Sequence, residues 1–190
     1  IWGNVENDVE MAKDAGIHYI YGQYGASGPW NGDGSYSFNY LFGGSDDAVR
    51  QMVETAGEEG VYIGTHTLSN LISGGTQYTS LNASSGLSFS ARATLTRDIS
   101  ADDMYIYVDN ATLGSSGRIR VGDELIGFSG SEQIGENEWK LTINQRGAWT
   151  ESAISAHMAG EYAYLMWSYY TAPFIGGLDA VEPMTERMGY

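Results

Sequence analysis

The chain has 190 residues, 42% of them hydrophobic, and no cysteine, so it can bury a core but cannot hold a disulfide, a thiolate metal site or a cysteine nucleophile. Twenty-four acidic residues against 9 basic ones give a formal net charge of -15, a mean field that repels phosphate backbones and anionic lipid, and neither nucleic acid nor membrane is an expected partner. No segment approaches the roughly 18 apolar residues of a membrane span, and the chain opens on Ile1 without a basic-then-apolar leader, as a processed secreted protein or a piece of a larger one would.

In chain order, residues 4 to 16 place Val5, Val9, Ala12 and Ala15 on one helical face, with Asn4 as N-cap and Gly16 as the stop. The apolar, aromatic IHYIYG that follows predicts a buried strand ending at Gly22. Residues 23 to 44 are a glycine- and aromatic-rich loop, QYGASGPWNGDGSYSFNYLFGG. A second helix is expected over about 46 to 59, where Val49, Met52, Val53 and Ala56 repeat at core spacing and Gly60 ends the run. VYIGTHT at 61 to 67 predicts the next strand. Helix, strand, helix, strand with short connections is the pattern of parallel βα units.

From about residue 79 the period changes. Strands are expected at Arg92–Thr96, Met104–Val108, Arg118–Val121, Glu124–Ser129, Trp139–Asn144 and Glu161–Met166, separated by Asp, Asn and Gly turn signals. They predict a small antiparallel barrel or sandwich, inserted as residues 79–165 between βα units at 1–78 and a return at 166–190 with a short helix from Leu178 to Met188.

Parallel βα architectures gather functional side chains at the carboxyl ends of their strands. The first strand end offers Tyr21, Gln23 and Tyr24, then a loop with Trp30, Asn31 and Asp33; the second offers His66 and, beyond it, Asn70. Aromatic platforms edged by amide, hydroxyl, imidazole and carboxylate groups suit sugars, whose apolar faces are rimmed with hydroxyls. His66 is the candidate catalytic residue, able to orient a hydroxyl or shuttle a proton. Trp30 is the candidate stacking platform. His18 and His157 are expected to be structural. The three histidines lie far apart and no metal-loop spacing occurs, so neither a metal nor a cofactor is expected. The acidic pairs Asp46-Asp47, Glu58-Glu59 and Asp102-Asp103 are expected to be solvated.

GIHYIYG, the GPWNGDGSYSF loop and EEGVYIGTHTLSN resemble the second and third βα units of the clan that includes α-galactosidases. A further likeness is to secreted bacterial glycoside-hydrolase-like proteins with an inserted β module, marked here by LTRDISADD, RIRVGDELIGFSG, LTINQRGAW and AHMAGE. Hairpins similar to these also occur in phage tail and fibre proteins. The resemblance implies an α/β fold, a partial (β/α)8 TIM-type barrel with the β module inserted. It also places the nucleophilic Asp on a following strand, beyond Tyr190, and the clan's acidic pair at the first strand end is replaced by Gly22 and Gln23.

The expected function is therefore that of part of a secreted, extracellular or periplasmic glycoside hydrolase. Its partners would be a carbohydrate substrate and the remainder of the parent barrel chain or a neighbouring subunit. One alternative is a polysaccharide lyase, disfavoured because residues 17 to 70 contain only Arg50 as an arginine for an anionic substrate. The other is a non-catalytic carbohydrate-binding or assembly module in which Tyr105, Trp139 and Trp149 of the β region make the contacts.

Overall fold

The computed structural model describes residues 5–22, 45–65, 71–147, 152–169 and 174–176. The chain divides into two compact units, Ile1–Ser69 with Pro183–Tyr190, and Asn70–Glu182.

The first unit contains α1 (Val5–Asp14), β1 (Tyr19–Gly22), α2 (Asp46–Glu58) and β2 (Tyr62–Thr65). Both helices end in the same device. The Gly16 and Ile17 N–H groups donate to the carbonyls of Lys13 and Ala12, and those of Gly60 and Val61 to Gly57 and Ala56. Each glycine carries the positive φ of a left-handed cap, 68° and 75°, and this Schellman closure satisfies the last carbonyls while turning the chain straight into a strand. The start of α2 is capped by Ser45, whose Oγ accepts from the Ala48 N–H at 3.2 Å. Val9, Ala12, Ala56 and Val61 form the apolar cluster between these elements, with Ile20 and Ile63 packed on it.

β1 and β2 pair in parallel, Tyr19 opposite Tyr62 through Gly22 opposite Thr65. The isoleucines face the helices. Tyr19, Tyr21 and Tyr62 face the other way and are 74%, 59% and 60% exposed, so β1 is a one-sided strand and not the buried one its composition predicts.

The second unit is antiparallel. A three-stranded sheet has the order β10 (Ser168–Tyr169), β11 (Phe174–Gly176), β3 (Leu71–Ser73). A six-stranded sheet has the order β4 (Phe89–Thr94), β9 (Tyr162–Met166), β6 (Ser116–Val121), β7 (Glu124–Gly135), β8 (Glu138–Gln145), β5 (Tyr105–Val108). Two turns are as short as a hairpin allows: Val121 pairs with Glu124 and Gly135 with Glu138. The six-stranded sheet curls until its edge strands meet, Leu95 bridging Val108 while the Thr96 N–H donates to Tyr107 and the Asp109 N–H to Thr94. One face of every strand then points into a single core, built on Leu95, Ile106, Val108, Ile119, Ile126, Phe128, Leu141 and Ile143. Closure also removes the two long sheet edges that an open sheet would present.

This architecture corrects the expected fold. A TIM-type barrel requires parallel strands alternating with helices around a ring, whereas the described residues contain one parallel pair of four-residue strands, two short helices and antiparallel sheets. Among the described residues, the helix–strand alternation is confined to residues 5 to 65. Past it, period-2 patterning and hairpin turns take over, and the described residues between 166 and 176, expected to lead back to a barrel, are short strands that pair antiparallel. The expected helix at Leu178–Met188 lies outside the described residues.

Candidate functional site

Three places in the molecule concentrate chemistry. The first is the carboxyl end of the β1–β2 pair, where Gly22 and Thr65 are register partners, so the chain leaves both strands from the same end of the sheet. Of the residues expected to contact sugar there, Tyr21 is described. It is exposed and lines a mostly apolar hollow of about 420 Å³ with Asp8, Met11, Ala12, Ala15, Ile17 and Ile20, in which Asp8 and Tyr21 are the only polar side chains among the described residues. Gln23, Tyr24, Trp30, Asn31, Asp33, His66 and Asn70 lie outside the described residues. At the opposite, amino end of the pair, His18 Nδ1 sits 3.4 Å from the Gly60 carbonyl, tying the cap of α2 to the start of β1.

The second is a buried ionic knot. Glu124 opens β7 and is fully buried. Its Oε1 accepts from Arg146 Nε at 2.7 Å and from the Gly147 N–H at 3.2 Å. Its Oε2 accepts from Arg146 Nη2 at 2.8 Å, from the Ser155 N–H at 3.2 Å and from His157 Nε2 at 2.9 Å. Arg146 in turn donates to the carbonyls of Ser100 and Ser155, 2.7 and 2.6 Å away, and His157 Nδ1 faces Glu161 Oε2 at 3.3 Å.

Burial alone would raise the Glu124 pKa. The hydrogen bonds from Arg146, His157 and Ser155, with the Arg146 charge, outweigh burial and hold it at about 2. A carboxylate so committed has no proton to give near neutral pH and no lone pair left for a substrate. The knot pins three loop segments to the sheet. Sequence reasoning assigns His157 a packing role but misses the cluster, since its members are separated by 22 and 33 residues.

The third is a polar groove on the outer surface of the curled sheet. It has a volume of about 420 Å³ and is lined by Ser116, Gly117, Arg118, Gly127, Phe128, Ser129, Asn144, Gln145 and Ser168. Strand alternation explains the arrangement. Ile119 and Val121 point into the core, so Ser116, Arg118 and Arg120 point outward. Register then sets Ser129 opposite Ser116, and side-chain-free Gly127 opposite Arg118 and Gln145, which hollows the surface between flanking side chains.

Next to the groove the same face carries rings and guanidinium groups. Tyr164 on β9 stands opposite both Arg92 on β4 and Arg120 on β6. The Arg120 guanidinium lies 4.9 Å from the Tyr164 ring centroid and that of Arg92 4.3 Å from Tyr162, within cation–π range. Phe89 packs on Tyr164 at 4.8 Å.

Among the described residues, the groove is lined by serine, asparagine, glutamine and arginine and by no Asp or Glu. Residues of these kinds can hold a polyhydroxylated ligand by hydrogen bonds. Among the described residues no group of three or more His, Asp or Glu side chains is arranged to hold a metal ion. Of the residues considered for a binding role in the β region, Trp139 is half-buried against the core, Tyr105 is 45% exposed with the Lys140 ammonium 5.4 Å from its ring, and Trp149 lies outside the described residues. Neither described residue lines the groove. The glycines at 117 and 127, placed inside otherwise β-forming strands, are the sequence signal that marks it.

No protein-family model, curated protein or solved structure matches this chain.

Proposed function

We propose that the chain is a carbohydrate-binding module that holds glycan in the groove of its antiparallel sheet without cleaving it. The observation that carries this reading is the lining itself: three serines, an asparagine, a glutamine and an arginine line a hollow of about 420 Å³, and the Phe89–Tyr164 ring pair includes a residue of β9, the strand beside β6. Fixed polar groups beside flat rings match the two kinds of surface a pyranose presents. Glu124 is the carboxylate most deeply set in the sheet, and its role is taken up by the ionic knot.

Asn144 and Gln145 are the test. Both are exposed side chains at the end of β8, so Asn144→Ala with Gln145→Ala should leave folding intact. Binding to whichever glycans retain the wild-type chain on an array should fall about tenfold or more for the loss of two hydrogen-bonding side chains. An array on which the wild-type chain binds nothing, or on which the double variant binds as well as wild type, would remove the proposal.

A further inference from the structure

We propose that the hollow between α1 and β1 binds a small amphipathic cation, an alkylammonium ion whose charged head meets Asp8 and whose apolar body lies along Met11, Ala15 and Ile17.

Asp8, Met11, Ala12 and Ala15 recur at i, i+3, i+4 and i+7, so α1 turns all four to one side. That side lines a hollow of about 420 Å³ with Ile17, in the link that follows, and Ile20 and Tyr21 of β1. From Asp8 to Ala15 the helix rises about 10 Å at 1.5 Å per residue, with a carboxylate at one end and apolar residues along the rest. Met11, Ile17 and Tyr21 are exposed, so large apolar side chains border the hollow and meet solvent, the kind of surface that marks a ligand or partner site.

Asp8 Oδ2 is buried and accepts no hydrogen bond. Folded proteins rarely leave such an atom unmet, and one that is unmet calls for a water, an ion or a ligand. A buried water takes about two to four polar partners, and beside Asp8 the described lining offers only Tyr21. A metal ion needs several oxygen or nitrogen donors, and among the described residues no group of three or more His, Asp or Glu side chains is arranged to hold one. An ammonium head needs one carboxylate. Its other N–H groups stay hydrated at the rim, while the methylenes displace water from the apolar wall. The terminal torsion of an aspartate is soft, so Oδ2 can turn to meet the head.

Charge selects the same occupant. In residues 1–69 the only lysine and arginine are Lys13 and Arg50; Lys13 is paired with Glu59, and among the described residues no ion pair includes Asp8 or Arg50. Glu6, Glu10 and Asp14 stand on the same helix as Asp8, and with the net charge of -15 they set a field that draws cations in and repels an apolar anion of the same shape.

The experiment is nuclear magnetic resonance titration of the isotope-labelled full chain near neutral pH with hexylammonium, 1-hexanol, methylammonium and hexanoate. The expected result is saturable shifts at the amides of Met11, Ala15, Ile17 and Ile20 with hexylammonium, which binds about tenfold or more tighter than hexanol for its charge-assisted hydrogen bond. Methylammonium, which lacks the apolar body, and hexanoate, which carries the wrong charge, should not saturate. Asp8→Asn should lower the hexylammonium affinity to that of hexanol, and Met11→Ala should weaken both. Asn144→Ala with Gln145→Ala, in the groove of the other unit, should change neither. Should Asp8→Asn fail to fold, the preference of the wild-type chain for hexylammonium over hexanol carries the same decision.

Hexanol bound as tightly as hexylammonium overturns the proposal, as does an Asp8→Asn variant that binds hexylammonium like wild type. Methylammonium saturating the same amides overturns it in favour of a bare charge site, and shifts that never saturate, or that fall away from α1 and β1, overturn it in favour of diffuse attraction to an acidic surface. None of these results bears on the glycan reading, which the array decides.

Discussion

Glu124 is the residue on which the loops of the second unit depend. Replacing it by Ala leaves the Arg146 guanidinium, whose side chain is 8% exposed, buried without its counter-charge, and removing one partner of such a pair costs about 3 to 5 kcal/mol. The pH dependence follows from the direction of the shift. The folded-state pKa of about 2 lies below the ordinary value of 4.5, so the stabilisation is complete above pH 4.5 and is lost as pH falls from there through 2; a displacement of that size corresponds to about 3 kcal/mol. Urea unfolding at a series of pH values checks this. The stability gap between wild type and Glu124→Gln should be widest near pH 7 and should close as the pH approaches 2, and a gap independent of pH would show that the knot contributes by packing alone.

At the scale of elements, the helices and their ends were legible because their causes are local. Val9, Ala12 and Ala56 repeat at helical spacing, and Gly16 and Gly60 mark the two stops. At Gly60, an added Cβ would meet nothing within 4 Å and the φ is +75°, so Gly60→Ala carries only the cost of a left-handed backbone, about 1 kcal/mol. A thermal melt should show the destabilisation without change in the far-ultraviolet spectrum at 20 °C or so, and an unaltered melting temperature would mean the Schellman closure does not hold α2. Hairpin strands were legible too, since Gly122-Asp123 and Glu136-Asn137 punctuate alternating runs. What the sequence did not carry was which strands lie side by side. Ser116, Ser129 and Asn144 share one groove because register sets β6, β7 and β8 side by side, with Ser168 of β10 lining the same hollow, and no local pattern encodes register between segments so far apart. Glu124, Arg146 and His157 were hidden for the same reason. The site residues proposed from strand ends, Tyr21 excepted, fall outside the described residues, and Tyr21 borders a mostly apolar hollow.

For the whole molecule, the same alternation that makes residues 5 to 65 look like the start of a barrel is satisfied by one parallel pair, and that difference sets how stability is distributed. Parallel pairs ordinarily gain from burial on both faces. Among the described residues, β1 and β2 have helices on one face and leave Tyr19, Tyr21 and Tyr62 largely exposed on the other, over a cluster of Val9, Ala12, Ala56 and Val61. The curled sheet encloses Ile106, Val108, Ile119, Val121, Ile126, Phe128 and Leu141, each 1% exposed or less. At about 25 cal/mol per Å² of apolar surface, the larger and more completely sealed core holds its strands against opening far more strongly. Native-state hydrogen exchange should therefore find the slowest amides on β6, β7 and β8, at Ile119, Ile126 and Leu141, exchanging only on global unfolding of that sheet. The amides of Ile20 and Ile63 should exchange by a separate, lower-energy opening that denaturant reveals as a second isotherm. One shared isotherm for Ile20, Ile63 and Ile119 would mean that the two units unfold as a single cooperative body, and the groove would then feel substitutions in α1 and α2; two isotherms would make glycan affinity insensitive to Gly60→Ala, which the same variant can report.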